Sequence, residues 1–141
     1  MILLDTDHLT VLQSGKGDRF DRLVLNIAKS KGTLATTIAN VEEQMRGWLA
    51  SIAKERRIER QVKAYRELLG LFARFAKFTV VPFDETAANR YSELRTGRGH
   101  LGTQDVKIAS ISLVRDALLL TANTQDFIQI PELRFENWLD S

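Results

Sequence analysis

Cysteine is absent from this 141-residue chain, which excludes disulfide staples and thiolate chemistry and suits a reducing cytoplasm. Histidine is scarce: with only His8 and His100, a zinc site would have to be completed by carboxylates. Any resident metal is better matched as a hard cation with oxygen ligands. No apolar run approaches the ~18–20 residues that cross a bilayer, so no membrane association is expected. No basic segment precedes the first apolar run, so a signal peptide is not expected either. A large net charge is also missing; the total is +2.

That small total hides an uneven distribution. Residues 46–77 hold nine Lys or Arg against three acids, so this segment is +6 while the remainder is negative. A basic arm on an acidic body can meet a polyanion through steering and counterion release, or can simply be a solvated helical hairpin. The chain is 44% hydrophobic and 27% charged, as in ordinary globular domains, and its length fits one domain spanning residues 1–141.

Hydrophobic patterning alternates along the chain. Short apolar or β-branched runs at Ile2–Leu4, Thr33–Ile38, Thr79–Phe83 and Leu118–Thr121 predict strands, and "RFENW" predicts an edge strand. Helical spacing covers Thr6–Gln13, Asp18–Lys31, a long arm from Val41 to Phe78 with a break near Arg56–Ile58, a helix capped by Asp84, and another capped by Thr103. The arm is rich in apolar residues, Ile58, Val62, Tyr65, Leu69 and Phe72 among them. They are expected to pack on the sheet and on the neighbouring helix. Strands alternating with helices predict an α/β fold with a mainly parallel twisted sheet between two helical layers.

In such sheets ligands bind beyond the carboxyl ends of the strands. Asp5 follows the first strand in "ILLDTDHL", Glu42 and Glu43 follow the second, and Asp105 and Asn123 flank the last. Each has an ordinary structural use: Asp caps helices, first-turn acids answer the helix dipole, and Asn forms turns. Together they form a carboxylate cluster with few basic residues in its local motifs, Lys107 among them. Like charges repel and raise their own pKa values unless a cation sits among them, so a divalent metal is the simplest resident.

Four stretches, "LLDTDHL", "TTIANVEEQMRG", "GTQDVKIASISL" and "LLLTANTQDF", occur in this order over nearly the whole chain. In them the sequence resembles the PIN domain family, in particular the VapC-type ribonuclease toxins of toxin–antitoxin pairs. The resemblance implies a three-layer α/β/α sandwich and metal-dependent hydrolysis of RNA phosphodiesters by Asp5, Glu43 and Asp105. Glu43 is chosen over Glu42 because the family's glutamate precedes a glycine by four residues, and Gly47 has that spacing. Asn123 takes the fourth ligand position, where it accepts through its carbonyl oxygen without adding charge. Thr6, Asp7 and Asp126 are expected to support these ligands from behind. His8 is expected to pack within its helix. The resemblance also implies Mg²⁺ or Mn²⁺ as cofactor, RNA as substrate, a cognate antitoxin, and a homodimer. The RNA-contacting residues stay unassigned.

Two other readings remain open on the sequence. "ILLDTDHLT" also fits the opening of haloacid-dehalogenase-like phosphatases, with Asp5 as nucleophile and Asp7 as general acid. A PIN domain that only binds RNA or protein is the other.

Overall fold

The computed structural model describes residues 1–140. Five strands, β1 (Ile2–Leu4), β2 (Leu34–Thr37), β3 (Thr79–Val81), β4 (Leu118–Leu120) and β5 (Phe135–Glu136), form one sheet in the order β3-β2-β1-β4-β5. Every pairing is parallel, with Ile2–Leu4 flanked by Leu34–Thr36 and by Leu118–Leu120. All four main strands therefore join a single parallel sheet, and "RFENW" adds the edge strand. The central strand β1 is apolar at every position because a sheet covered on both faces leaves no polar side. Leu3 enters one core with Leu119, Val81 and Ile108, while Ile2 and Leu4 enter the other with Leu23, Leu71 and Leu120. Residue alternation along one strand thus fastens both helical layers.

Among the described residues, seven helices surround the sheet: α1 (Thr6–Ser14), α2 (Asp18–Lys29), α3 (Ile38–Lys54), α4 (Ile58–Phe75), α5 (Glu85–Arg95), α6 (Thr103–Val114) and the short α7 (Thr124–Phe127). Asp84 caps α5 by accepting from the Ala87 amide at 2.9 Å. Thr103 is not the cap of α6 as the sequence suggested; Gly102 occupies that position and Thr103 opens the first turn. The α3–α4 arm breaks at residues 55–57, where both flanking caps are extended.

The expectation that the arm buries its apolar residues holds for only one face of α4. Leu71 and Phe75 lie in the core, yet Ile58, Val62, Tyr65, Leu69 and Phe72 are each more than half exposed. Their spacing of four and three residues lays them in one stripe along the outer side of the helix. Helical periodicity reports that a face is apolar and leaves open what covers it. Leu71→Ala is accordingly expected to cost about 2–4 kcal/mol, and Leu69→Ala to stay within about 0.5 kcal/mol, in urea unfolding. Equal losses would mean that the stripe is covered in the isolated protein.

No helix among the described residues is long and apolar enough to cross a membrane.

Candidate active site

The neighbouring positions of β2, β1 and β4 bring three chain segments to the same end of the sheet. Asp5 leaves β1 there, with its backbone N–H still donating to the Leu120 carbonyl. It is the N-cap of α1, and its Oδ1 accepts from the Thr6 amide at 2.9 Å. Capping and clustering are therefore both true of this residue. The same Oδ1 accepts from Asn40 Nδ2 at 2.8 Å, and Oδ2 accepts from Thr121 Oγ1 at 2.7 Å. Asp5 is almost wholly buried, at 6% exposure. Burial raises its pKa and the Asp7 charge adds to this, while the bonds from Thr121, Thr6 and Asn40 pull it back.

Glu43 lies in the second turn of α3, where its Oε2 accepts from Thr6 Oγ1 at 3.1 Å. Burial is the main cause that pushes its carboxyl up to about 7. The Asp5 charge follows, the Thr6 bond opposes, and Asp105 and Asp7 contribute smaller increases. Glu42 points elsewhere: it accepts from Gln104 Nε2 at 2.9 Å and from Arg46, contacts that hold its pKa below the usual range. Adjacent residues on a helix diverge by ~100°, so the two glutamates cannot share one direction.

Asp105 reaches the same place from the first turn of α6. Burial raises its pKa to about 6, and the charges of Asp5 and Asp126 add to it. Asn123, expected to offer its carbonyl oxygen, instead donates from Nδ2 to Asp105 Oδ2 at 3.3 Å and to Asp126 Oδ2 at 3.1 Å. It bridges two carboxylates as a donor, which draws Asp126 into direct association with the cluster.

Asp7 ties α1 to the end of β4. Its Oδ2 accepts from the Ala122 amide at 2.9 Å, and its Oδ1 faces His8 Nδ1 at 2.5 Å. His8 is fully buried and its Nε2 accepts from the Trp138 amide at 3.1 Å, which leaves Nδ1 as the donor to Asp7. His8 thus pins the C-terminal segment to α1 and takes no place among the three acids.

Asn40 and Thr121 were missed by sequence reasoning because neither carries charge. Asn40 is fully buried; its Oδ1 accepts from Thr37 Oγ1 at 2.7 Å while its Nδ2 serves both Asp5 and Thr6 Oγ1. A signal existed in "TTIAN": Thr37 caps α3, and an amide three residues later returns that bond as in a capping box. Three further residues along lies Glu43, on the same helix face. Asn40→Ala would leave a buried carboxylate short of a donor. It is expected to lower stability by about 1–3 kcal/mol, read as a drop in melting temperature; an unchanged melt would show that Asp5 needs no support from α3.

Among the described residues, no three Asp, Glu or His side chains stand close enough to hold an ion together as placed. The donor set is nonetheless all hard oxygen, held by neutral donors and free of any lysine or arginine partner in the bonds that define it. A cation that keeps several of its own waters, as Mg²⁺ does, suits such spacing.

A family model described as "PIN domain" matches residues 2–133. Ribonuclease VapC2 of Rickettsia felis is 33% identical over 67 residues, a stretch covering 45% of this chain and 50% of that protein. The chain thus spans about half the length of the curated relative it matches. Among solved structures, VapBC2 from Rickettsia felis bound to a promoter DNA fragment superposes with a TM-score of 0.71 at 25% identity, covering 98% of this chain and 99% of the other. VapBC-1 from nontypeable Haemophilus influenzae gives 0.72 at 20% identity, covering 98% of each chain. FitAcB from Neisseria gonorrhoeae gives 0.70 at 20% identity over the whole of both chains.

Proposed function

The chain belongs to the PIN domain family, and on that premise we propose that it is a divalent-metal-dependent endoribonuclease, the toxin of a toxin–antitoxin pair. The observation that carries the reading is the convergence of Asp5, Glu43 and Asp105 from three elements, with burial first and neighbouring carboxylate charges second raising each pKa: Asp7 for Asp5, Asp5 foremost for Glu43 and Asp105. Such a cluster is unfavourable without a cation.

Asp5, Glu43 and Asp105 would hold Mg²⁺ or Mn²⁺, in part through water. The chemistry supplied on binding is neutralisation of phosphate charge and acidification of water for attack at phosphorus. The chain's own residues fix the ligands: Asn40, Thr121 and the Thr6 amide orient Asp5, Thr6 Oγ1 orients Glu43, and Asn123 orients Asp105. The phosphatase alternative lacks support. Asp7, its general acid, accepts from the Ala122 amide with one oxygen and faces His8 with the other, contacts that tie α1 to the end of β4 and to the segment at Trp138.

A cognate antitoxin and a second copy of the chain are the proposed protein partners. The exposed stripe of α4, with Arg60, Lys63 and Arg66 beside it, supports the first. The relatives named VapBC and FitAcB give the context for it.

The test is incubation with single-stranded and transfer RNA under Mg²⁺, Mn²⁺ or EDTA. Cleavage with either metal and none in EDTA is expected. Persistent cleavage in EDTA would overturn the metal assignment, and binding without cleavage under any metal would leave the RNA-binding module as the better reading.

A further inference from the structure

Beyond the acidic cluster, α1, α3 and α4 flank an open cavity of about 480 Å³. Gln13 and Ser14 line it from α1, Gln44 and Trp48 from α3, and Glu67 and Arg74 from α4. It shares α1 and α3 with the acidic site: the Thr6–Glu43 bond joins these two helices, Gln44 follows Glu43 in the chain, and Thr10 on the cavity wall lies one helical turn beyond Thr6.

Two features show that this cavity is built rather than incidental. Gln13 Nε2 and Arg74 Nε are shut off from solvent and meet no acceptor, although buried N–H groups are nearly always bonded. Gly70 also sits inside α4, where glycine is unfavourable. A Cβ there would come within 2.9 Å of Arg74 Nη1, so the glycine makes room for the guanidinium to fold back along its own helix. There Arg74 Nη2 donates to the Glu67 carbonyl at 3.3 Å, with the Glu67 carboxylate 3.6 Å away.

We propose that this cavity binds the nucleobase next to the scissile phosphate and so sets sequence preference, a reading that rests on the ribonuclease function proposed above. Trp48 offers an aromatic wall, and single-stranded RNA bases are held by stacking on such rings. Two primary amides, a guanidinium and a carboxylate are the groups that read base edges. Trp48, Glu67 and Arg74 belong to the basic segment 46–77, whose net positive charge favours a polyanion such as RNA.

Binding of short single-stranded RNA oligonucleotides in EDTA, with one abasic nucleotide placed at each position in turn, tests this without cleavage. For the native protein, one abasic position should weaken binding roughly tenfold. Gln13→Ala, Trp48→Leu and Gly70→Ala should each remove that sensitivity. Gly70→Ala is the safeguard against misfolding, since alanine favours the helix and displaces only the mobile end of Arg74. A native protein indifferent to every abasic position, or variants that keep its profile, would overturn the subsite. So would variants that bind RNA normally but lose a protein partner, which would make the cavity a protein-docking site. A Mg²⁺-supplemented digest separates the two levels. Native protein that cleaves no RNA refutes the nuclease reading itself, whereas native and variants cutting with one shared preference refute the subsite alone.

Discussion

Asp5→Asn is expected to reduce RNA cleavage by roughly 10²–10³-fold or more while leaving the fold in place, the scale of removing a group aimed at the reacting centre. The fold should survive because the new amide fits the old bonds. Its oxygen can still accept from the Thr6 amide and Asn40 Nδ2, and its nitrogen can donate to Thr121 Oγ1. The Thr121 hydroxyl is then free to turn its hydrogen toward Asp7 Oδ2, 3.5 Å away. A buried negative charge disappears in the exchange, so the metal-free variant should melt no lower than the native protein. Asp105→Asn should behave alike. Rates measured under Mg²⁺, alongside thermal melts in EDTA, check both halves. Cleavage that survives Asp5→Asn would refute the site, and a collapsed melt would show that Asp5 serves the fold through its charge.

Stability should run opposite to the usual trend for carboxylates. Glu43 is raised from 4.5 to about 7 and Asp105 from 3.8 to about 6. Between the lower and upper values the folded state binds more protons than the unfolded chain, so stability falls as pH rises through that interval. The contribution is complete near pH 4 and lost by about pH 7–8. Both groups are only half-buried, and solvent screening reduces the effect to on the order of 1–2 kcal/mol. For a domain of this size that is roughly 3–8 °C in melting temperature between pH 5 and pH 8 in EDTA. Glu42, whose pKa is held low, loses its contribution only as pH falls below the ordinary carboxylate range, outside this window. Mg²⁺ should reverse the slope by binding the ionised folded site. Glu43→Gln should flatten the metal-free slope and lose cleavage, whereas Glu42→Gln, on the outer face with Arg46, should do neither. A metal-free melt that rises from pH 5 to pH 8 would show that Glu43 and Asp105 are not held above their ordinary carboxylate range in the folded protein.

Much of this was legible without coordinates. Ile2–Leu4 and Leu118–Leu120 read as strands because a parallel sheet covered on both faces demands apolar side chains at every position. Asp5 and Asp105 stood out because carboxylates at strand ends and helix starts have few places to go in such a sheet. The resemblance of four short stretches then linked them to a chemistry.

Other features depended on directions that spacing alone does not set. Asn40, Thr121 and Asn123 carry no charge and match ordinary capping and turn residues; only the meeting of α3, β4 and α6 around Asp5 and Asp105 makes them supports of a site. Glu42 and Glu43 are equivalent in composition and differ by ~100° of helix rotation, so the roll of α3 against the sheet decides between them. The outer stripe of α4 has the same periodicity as a buried face, and its exposure follows from which side α3 and the sheet had already covered. The sequence by itself determined the alternation of strands and helices and the presence of acids at the strand ends, because burial and backbone pairing act locally on residue type. Tertiary structure alone decided which polar groups touch, since hydrogen bonds and charge repulsion depend on ångström distances between segments far apart in the chain.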